Sequence, residues 1–181
     1  DSLCAIGTDR KLYIYYDNNY YDITPLSTTI AATFSFTSGT TYVDVTATSN
    51  GAVMGDFVTF SGVTGVSVGD PGITNTTMSQ EFEIQEIKTA DTFTIDVAEL
   101  GTPTLNDTAS ATSAAFQINV GADTTQLGIG WGAASWGFST WGTPRPTGVI
   151  TQRPRIWVLD NWGEDLIATI YGGKTYYLQT S

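Results

Sequence analysis

The side chains with the most scope for chemistry are carboxylates. Asp160, Glu164 and Asp165 fall within six positions of one another. Two carboxyls about 5–9.5 Å apart across a scissile bond can hydrolyse a glycoside. The competing reading is a solvated turn whose acids pair with Arg153 or Arg155. No second acidic cluster marks the facing wall of a cleft, so the turn is preferred. Asp17-Asn18-Asn19 with Asp22 could gather oxygen ligands around calcium. An EF-hand loop needs glycine at its sixth position and glutamate at its twelfth, where this sequence has Asp22 and Thr28. A turn is the better reading there too, because Asp and Asn tolerate positive φ.

What is missing narrows the chemistry further. The chain of 181 residues has no histidine and a single cysteine, Cys4. Ser/His and Cys/His nucleophile pairs are therefore excluded, as are an internal disulfide and the common zinc hydrolase sites. No catalytic residue, metal ligand or cofactor site is assigned, and the chain is not expected to be an enzyme. Acidic residues number 18 against 7 basic ones, for a formal charge of −11. A surface built to bind nucleic acid needs Lys and Arg, so specific DNA or RNA binding is not expected. No apolar run approaches the ~20 residues that span a bilayer. The start at Asp1 has neither Met nor a secretory signal pattern, so the expectation is a processed chain or a piece of a longer one.

The elements that would carry these residues are strands. Thr, Tyr, Phe, Trp, Val and Ile suit a pleated, half-buried surface, and Gly, Asn, Asp and Ser punctuate it. No amphipathic helix of normal length is evident, so the fold class is all-β. Charge divides the chain in three. Residues 27–143 carry eleven acids against Lys88 alone, whereas residues 144–181 carry a small positive excess. A middle so unlike both ends points to a domain inserted into another fold.

In the first part, 11–16 reads as a strand, 17–19 as a turn and 20–25 as a short returning strand. In the middle, 42–47 alternates with Val43, Val45 and Ala47 on one face. Asn50-Gly51 is a two-residue turn signal and 56–60 is the next strand. Residues 61–79 read as a long loop. Residues 81–85 and 92–97 form a hairpin about 88–91, residues 98–113 read as a polar linker, and 114–120 is a last strand. Strands at this spacing, each with one apolar face, make a small sandwich or barrel. Beyond 148, strands are expected at 155–159, 164–171 and 174–179, with turns at 160–163 and Gly172-Gly173. A turn, a lysine and a Tyr-rich strand occur near both ends, as in a repeated blade.

Between these parts, Trp-Gly recurs at Trp131, Trp136 and Trp141 with a period of five, which fits neither a strand nor a helix. The three rings could stack on sugars, but nothing polar at fixed offsets would orient one. Packing against a β surface is preferred, since Trp is bulky and normally well buried. Arg145, Arg153 and Arg155, set among prolines, could dock an acidic neighbour or simply be exposed loop charges.

Three stretches, taken in order, resemble part of the tail nozzle, or tail-stabilisation, proteins of short-tailed bacteriophages. They are Lys11-Leu12-Tyr13-Ile14-Tyr15 with Tyr21-Asp22-Ile23-Thr24-Pro25, the Trp-Gly run, and Arg155-Ile156-Trp157-Val158-Leu159-Asp160-Asn161-Trp162-Gly163 with Gly172-Gly173. The middle is similar to a small β-domain common in such virion proteins. The resemblance implies propeller-like blade strands at 1–27 and 149–181, an inserted sandwich or barrel at 28–121, and a Gly/Trp-rich linker at 122–148. It implies a structural virion component whose partners are copies of itself and neighbouring tail proteins, with DNA passing through the assembly. The interface and packing candidates are Trp131, Trp136, Trp141, Arg145, Arg153, Arg155, Trp157 and Trp162. The alternative is a receptor- or carbohydrate-binding β module of a tail fibre or surface adhesin.

Overall fold

A computed structural model describes residues 4–8, 11–118, 156–163, 165–171 and 173–179. Among these there is no helix; the chain is all-β. Residues 1–120 form one compact unit and residues 121–181 a second.

The first unit opens with a three-stranded antiparallel meander: β1 (Cys4–Gly7), β2 (Leu12–Tyr16) and β3 (Asn19–Asp22). Asp17 and Asn18 make the β2–β3 turn with φ of 48° and 60°. This is the left-handed pair that suits the right-handed twist of a hairpin. The expected turn is present, and its Asn19 side chain donates to the Asp17 carbonyl at 2.9 Å.

The chain then forms a closed barrel. Its strands are β4 (Leu26–Phe36), β5 (Tyr42–Thr46), β6 (Phe57–Thr64), β7 (Glu81–Ile87), β8 (Thr92–Asp96) and β9 (Asp107–Gln117). Around the circumference they run β4-β5-β8-β7-β6-β9, and every pair is antiparallel. Period-two patterning turns Phe34, Val43, Val45, Val58, Phe60, Ile84, Phe93, Ile95 and Phe116 into one core. The rings interlock: Phe34 meets Phe60 edge-on at 4.8 Å and Phe93 meets Phe116 at 5.5 Å.

Several sequence expectations are corrected here. Of sandwich and barrel, the described strands close into a barrel. Residues 98–113 are not all linker, because β9 begins at Asp107. Its inward residues Ala109, Ala111 and Ala114 are small and its outward ones are Thr and Ser, so its alternation carries little hydrophobic contrast. β4 was not anticipated at all. Asn50-Gly51 does not join a hairpin, since β5 pairs with β4 and β8 rather than β6. Asn50 is instead buried, donating to the Ala47 carbonyl at 2.8 Å and accepting from the Ala52 N–H at 2.7 Å. The loop after β6 is no bare connection either: Val68, Ile73 and Met78 are buried in the barrel core.

In the second unit, β10 (Trp157–Trp162), β11 (Asp165–Ile170) and β12 (Thr175–Leu178) form another antiparallel meander. Asp160, Asn161 and Trp162 lie in β10, so the expected turn at 160–163 shrinks to its end, where Gly163 takes φ +68°.

Candidate functional site

The chain enters and leaves the barrel at one place. Leu26 at the start of β4 lies opposite Gln117 at the end of β9. One step further out, the Ile118 N–H donates to the Pro25 carbonyl at 3.0 Å. The Ser27 hydroxyl donates to the Phe116 carbonyl at 3.1 Å. These contacts span about ninety residues of sequence and staple the barrel's ends together, the geometry that lets a domain interrupt a host fold.

A polar node ties the N-terminal meander to this staple. The Lys11 amine donates to Asp22 Oδ2 at 3.1 Å and to Glu81 Oε1 on β7. It also lies 4.6 Å from the centre of the Phe57 ring, in reach of a cation–π attraction. The Gln117 amide donates to the other Glu81 oxygen at 3.0 Å. Beneath the node, the buried Leu12 N–H donates to Thr24 Oγ1 at 3.0 Å, and the Thr24 N–H donates to Asp22 Oδ1 at 2.9 Å. Burial alone would raise the Asp22 carboxyl, but the Thr24 hydrogen bonds and Lys11 outweigh it and hold it below the usual carboxylate range. Burial alone would lower the Lys11 amine, but its hydrogen bonds to Glu81 and Asp22 raise it above its ordinary value.

The signs give a stability profile. A depressed Asp22 stabilises the fold above its unfolded pKa, and the contribution is lost as pH falls through the lower folded value. A raised Lys11 stabilises it below its unfolded pKa, and the contribution is lost as pH rises through the higher folded value. The node is thus at full strength between about pH 5 and 9. Glu81→Ala takes away the acceptor shared by Lys11 and Gln117. Because the groups keep some solvent, the expected cost is about 1–2 kcal/mol at neutral pH, read as a lowered denaturation midpoint. The loss should shrink as pH rises past the ordinary lysine range and through the raised Lys11 value. A loss that stays undiminished across that rise would show that the node does not work through the lysine's charge.

Around these elements lie exposed aromatics. Tyr15 and Tyr20 pack at 4.9 Å between ring centres on the N-terminal meander, and Tyr20 is 67 % exposed. The Tyr15 hydroxyl donates to Asn18 Oδ1 at 3.0 Å. In the second unit Trp162 is 75 % exposed. Trp157, one of the packing candidates, is half-buried, and its indole N–H has no acceptor among the described residues. Trp131, Trp136, Trp141, Arg145, Arg153 and Arg155 lie outside the described residues, as does Glu164.

The acids of the last part do not gather into a cleft among the described residues. Asp160 faces solvent on β10, and Asp165 accepts from the Tyr177 hydroxyl. That bond raises the phenol's pKa above its ordinary value. Among the described residues no group of three or more His, Cys, Asp or Glu side chains is placed to hold a metal ion. Sequence reading missed the staple and the node, for which no local signal exists.

No family profile matches the sequence, and no curated protein matches it. Among solved structures, a chain described as "Phage phi92 endosialidase" is similar over 68 % of this chain, at 19 % identity and a TM-score of 0.32. The match covers 20 % of that longer chain.

Proposed function

We propose that this chain is a structural segment of a bacteriophage tail, of the nozzle or tail-stabilisation kind, and that it works through assembly interfaces rather than catalysis. The observation that carries the reading is the stapled barrel set between two three-stranded meanders. Pro25 and Ile118 meet, which supports reading the barrel as a domain inserted into a host fold. Each meander is a short antiparallel sheet with exposed aromatics, as expected of blades that await neighbours: three strands alone cannot cover both of their faces. The sequence motifs of the two ends point the same way. In this reading the partners are further copies and adjoining tail proteins, and DNA passes through the assembly without specific binding.

Antibody raised against residues 26–118 should decorate the tail of intact virions near the particle axis. Virions that carry no label would overturn the proposal. A second reading, a carbohydrate-binding module, is favoured by the exposed Tyr15–Tyr20 pair. Label confined to fibre tips, together with glycan binding that Tyr20→Ala abolishes, would replace the first reading with the second.

A further inference from the structure

The barrel has two unlike sides. Its ten acids and one lysine lie on β5, β7 and β8, in the loops, or at the first residue of β9. The outward positions of β4 and β6, and of β9 beyond Asp107, carry no charge, and over residues 29–35, 59–64 and 108–115 they are only Thr, Ser, Ala and Gly. One row of hydroxyls crosses five strands: Ser110 lies opposite both Thr64 and Thr33, Thr33 opposite Thr46, and Thr46 opposite Thr92. Neighbours in this row are in contact, with Thr64 and Ser110 3.3 Å apart and Thr46 and Thr92 3.4 Å apart. Thr33, Ser35, Thr64, Thr108 and Ser110 line a shallow open groove on this side. The opposite side, β5-β8-β7, presents Asp44, Glu83, Glu86 and Asp96. Of these, Asp44 is already engaged by the Lys88 amine at 2.6 Å.

We infer that barrels of neighbouring copies pack head to tail, the hydroxyl side of one on the acidic side of the next. Two acidic sides repel each other. Two hydroxyl sides meet without repulsion but leave the carboxylates unused. A hydroxyl side on an acidic side sets O–H donors against carboxylate acceptors, which form the stronger, charge-assisted hydrogen bonds. Outward strand positions usually carry charges that keep other sheets away; here three adjoining strands lack them, and short side chains allow close approach. Strands of 8 and 11 residues, at ~3.3 Å rise and ~4.8 Å spacing, give roughly 500 Å² per copy. The pair would bury about 1,000 Å², the level of a weak but specific interface. Unlike patches build rings or filaments rather than two-fold dimers, so this inference rests on the tail reading and assigns its subunit contact.

The test is sedimentation of the full chain. The wild type should associate progressively with concentration, beyond a dimer. Thr33→Glu with Ser110→Glu spoils only the hydroxyl side, and Glu83→Ala with Glu86→Ala spoils only the acidic side by removing its acceptors. Each should weaken association at least tenfold while circular dichroism stays unchanged, and Gln85→Glu should behave as wild type. Mixed in equal amounts, the two spoiled proteins should form a one-to-one dimer, because each keeps one good side. A wild type that stays monomeric, variants that associate normally, or a mixture that stays monomeric would each overturn the inference. Unlabelled virions would instead sink the tail reading, and would leave head-to-tail association in solution unaffected.

Discussion

Phe60→Ala is expected to destabilise the first unit by about 3–5 kcal/mol, a large part of what a domain of this size possesses. Phe60 is 1 % exposed and sits at the centre of the ring cluster. Its ring lies 4.8 Å from Phe34 and 6.0 Å from Phe82, so truncation removes contacts with β4 and β7 together. The barrel is closed, and no edge strand can slide inward to fill the hole. Thermal or urea denaturation followed by tryptophan-independent circular dichroism would read the loss as a lower midpoint. Tyr20→Ala, on the exposed side of the N-terminal meander, provides the contrast. It should cost well under half as much, since Tyr20 retains most of its exposure in the folded chain. Equal losses at the two positions would mean that the barrel core is not what holds this unit together. In the tail reading Phe60→Ala also abolishes incorporation into particles, because the barrel it empties is the part argued to meet neighbours.

The same comparison of sites explains which parts of the fold could be read from sequence. β5, β7 and β8 were legible because Val43/Val45, Phe82/Ile84 and Phe93/Ile95 alternate with Asp, Glu and Thr, a strong contrast at period two. The Asp17-Asn18 turn was legible because few residues accept its backbone angles. β9 was legible only at its end, from Ala114 to Gln117, where Phe116 faces inward; before that its inward positions are alanines, which strands use sparingly, and Ala against Ser or Thr gives almost no contrast. Yet β9 lies between β4 and β6, and its small residues leave room for Phe34 and Phe60 inside the barrel. β4 was hidden in the same way by its Ser/Thr/Ala first half. The staple at Pro25 and Ile118 and the node joining Lys11 to Glu81 depend on residues far apart in the chain. No local pattern encodes such contacts; they follow only once the barrel closes. The acidic excess of the middle was legible, but its partition between two sides of one barrel needed the strand order.

Gly72 is where the expected loss is next largest. A Cβ built on it would lie 1.9 Å from the Leu100 carbonyl oxygen, far inside any tolerable contact, and the obstacle is backbone on an adjoining loop. Asp70 fastens these two loops together: its carboxylate accepts from the Gly72 N–H at 2.8 Å and from the Thr102 N–H at 3.2 Å. The loop also delivers Ile73 and Met78 to the core, where they are 3 % and 0 % exposed. Gly72→Ala must therefore push one loop off the other, loosening the Asp70 clasp and lifting Ile73. The expected cost is about 1–3 kcal/mol for Ala and more for Val. Gly39→Ala separates this cause from backbone strain. Gly39 has φ +81° but nothing within 4 Å of its added Cβ, so its cost is the left-handed penalty alone, about 1–2 kcal/mol. Enlarging the side chain further should therefore widen the gap. Gly72→Val should fall well below Gly72→Ala in melting temperature, while Gly39→Ser should match Gly39→Ala. A Gly72→Val protein that melts with the wild type would show that the loop after β6 can leave the barrel core without loss, and the account of a closed core that includes Val68, Ile73 and Met78 would fall with it.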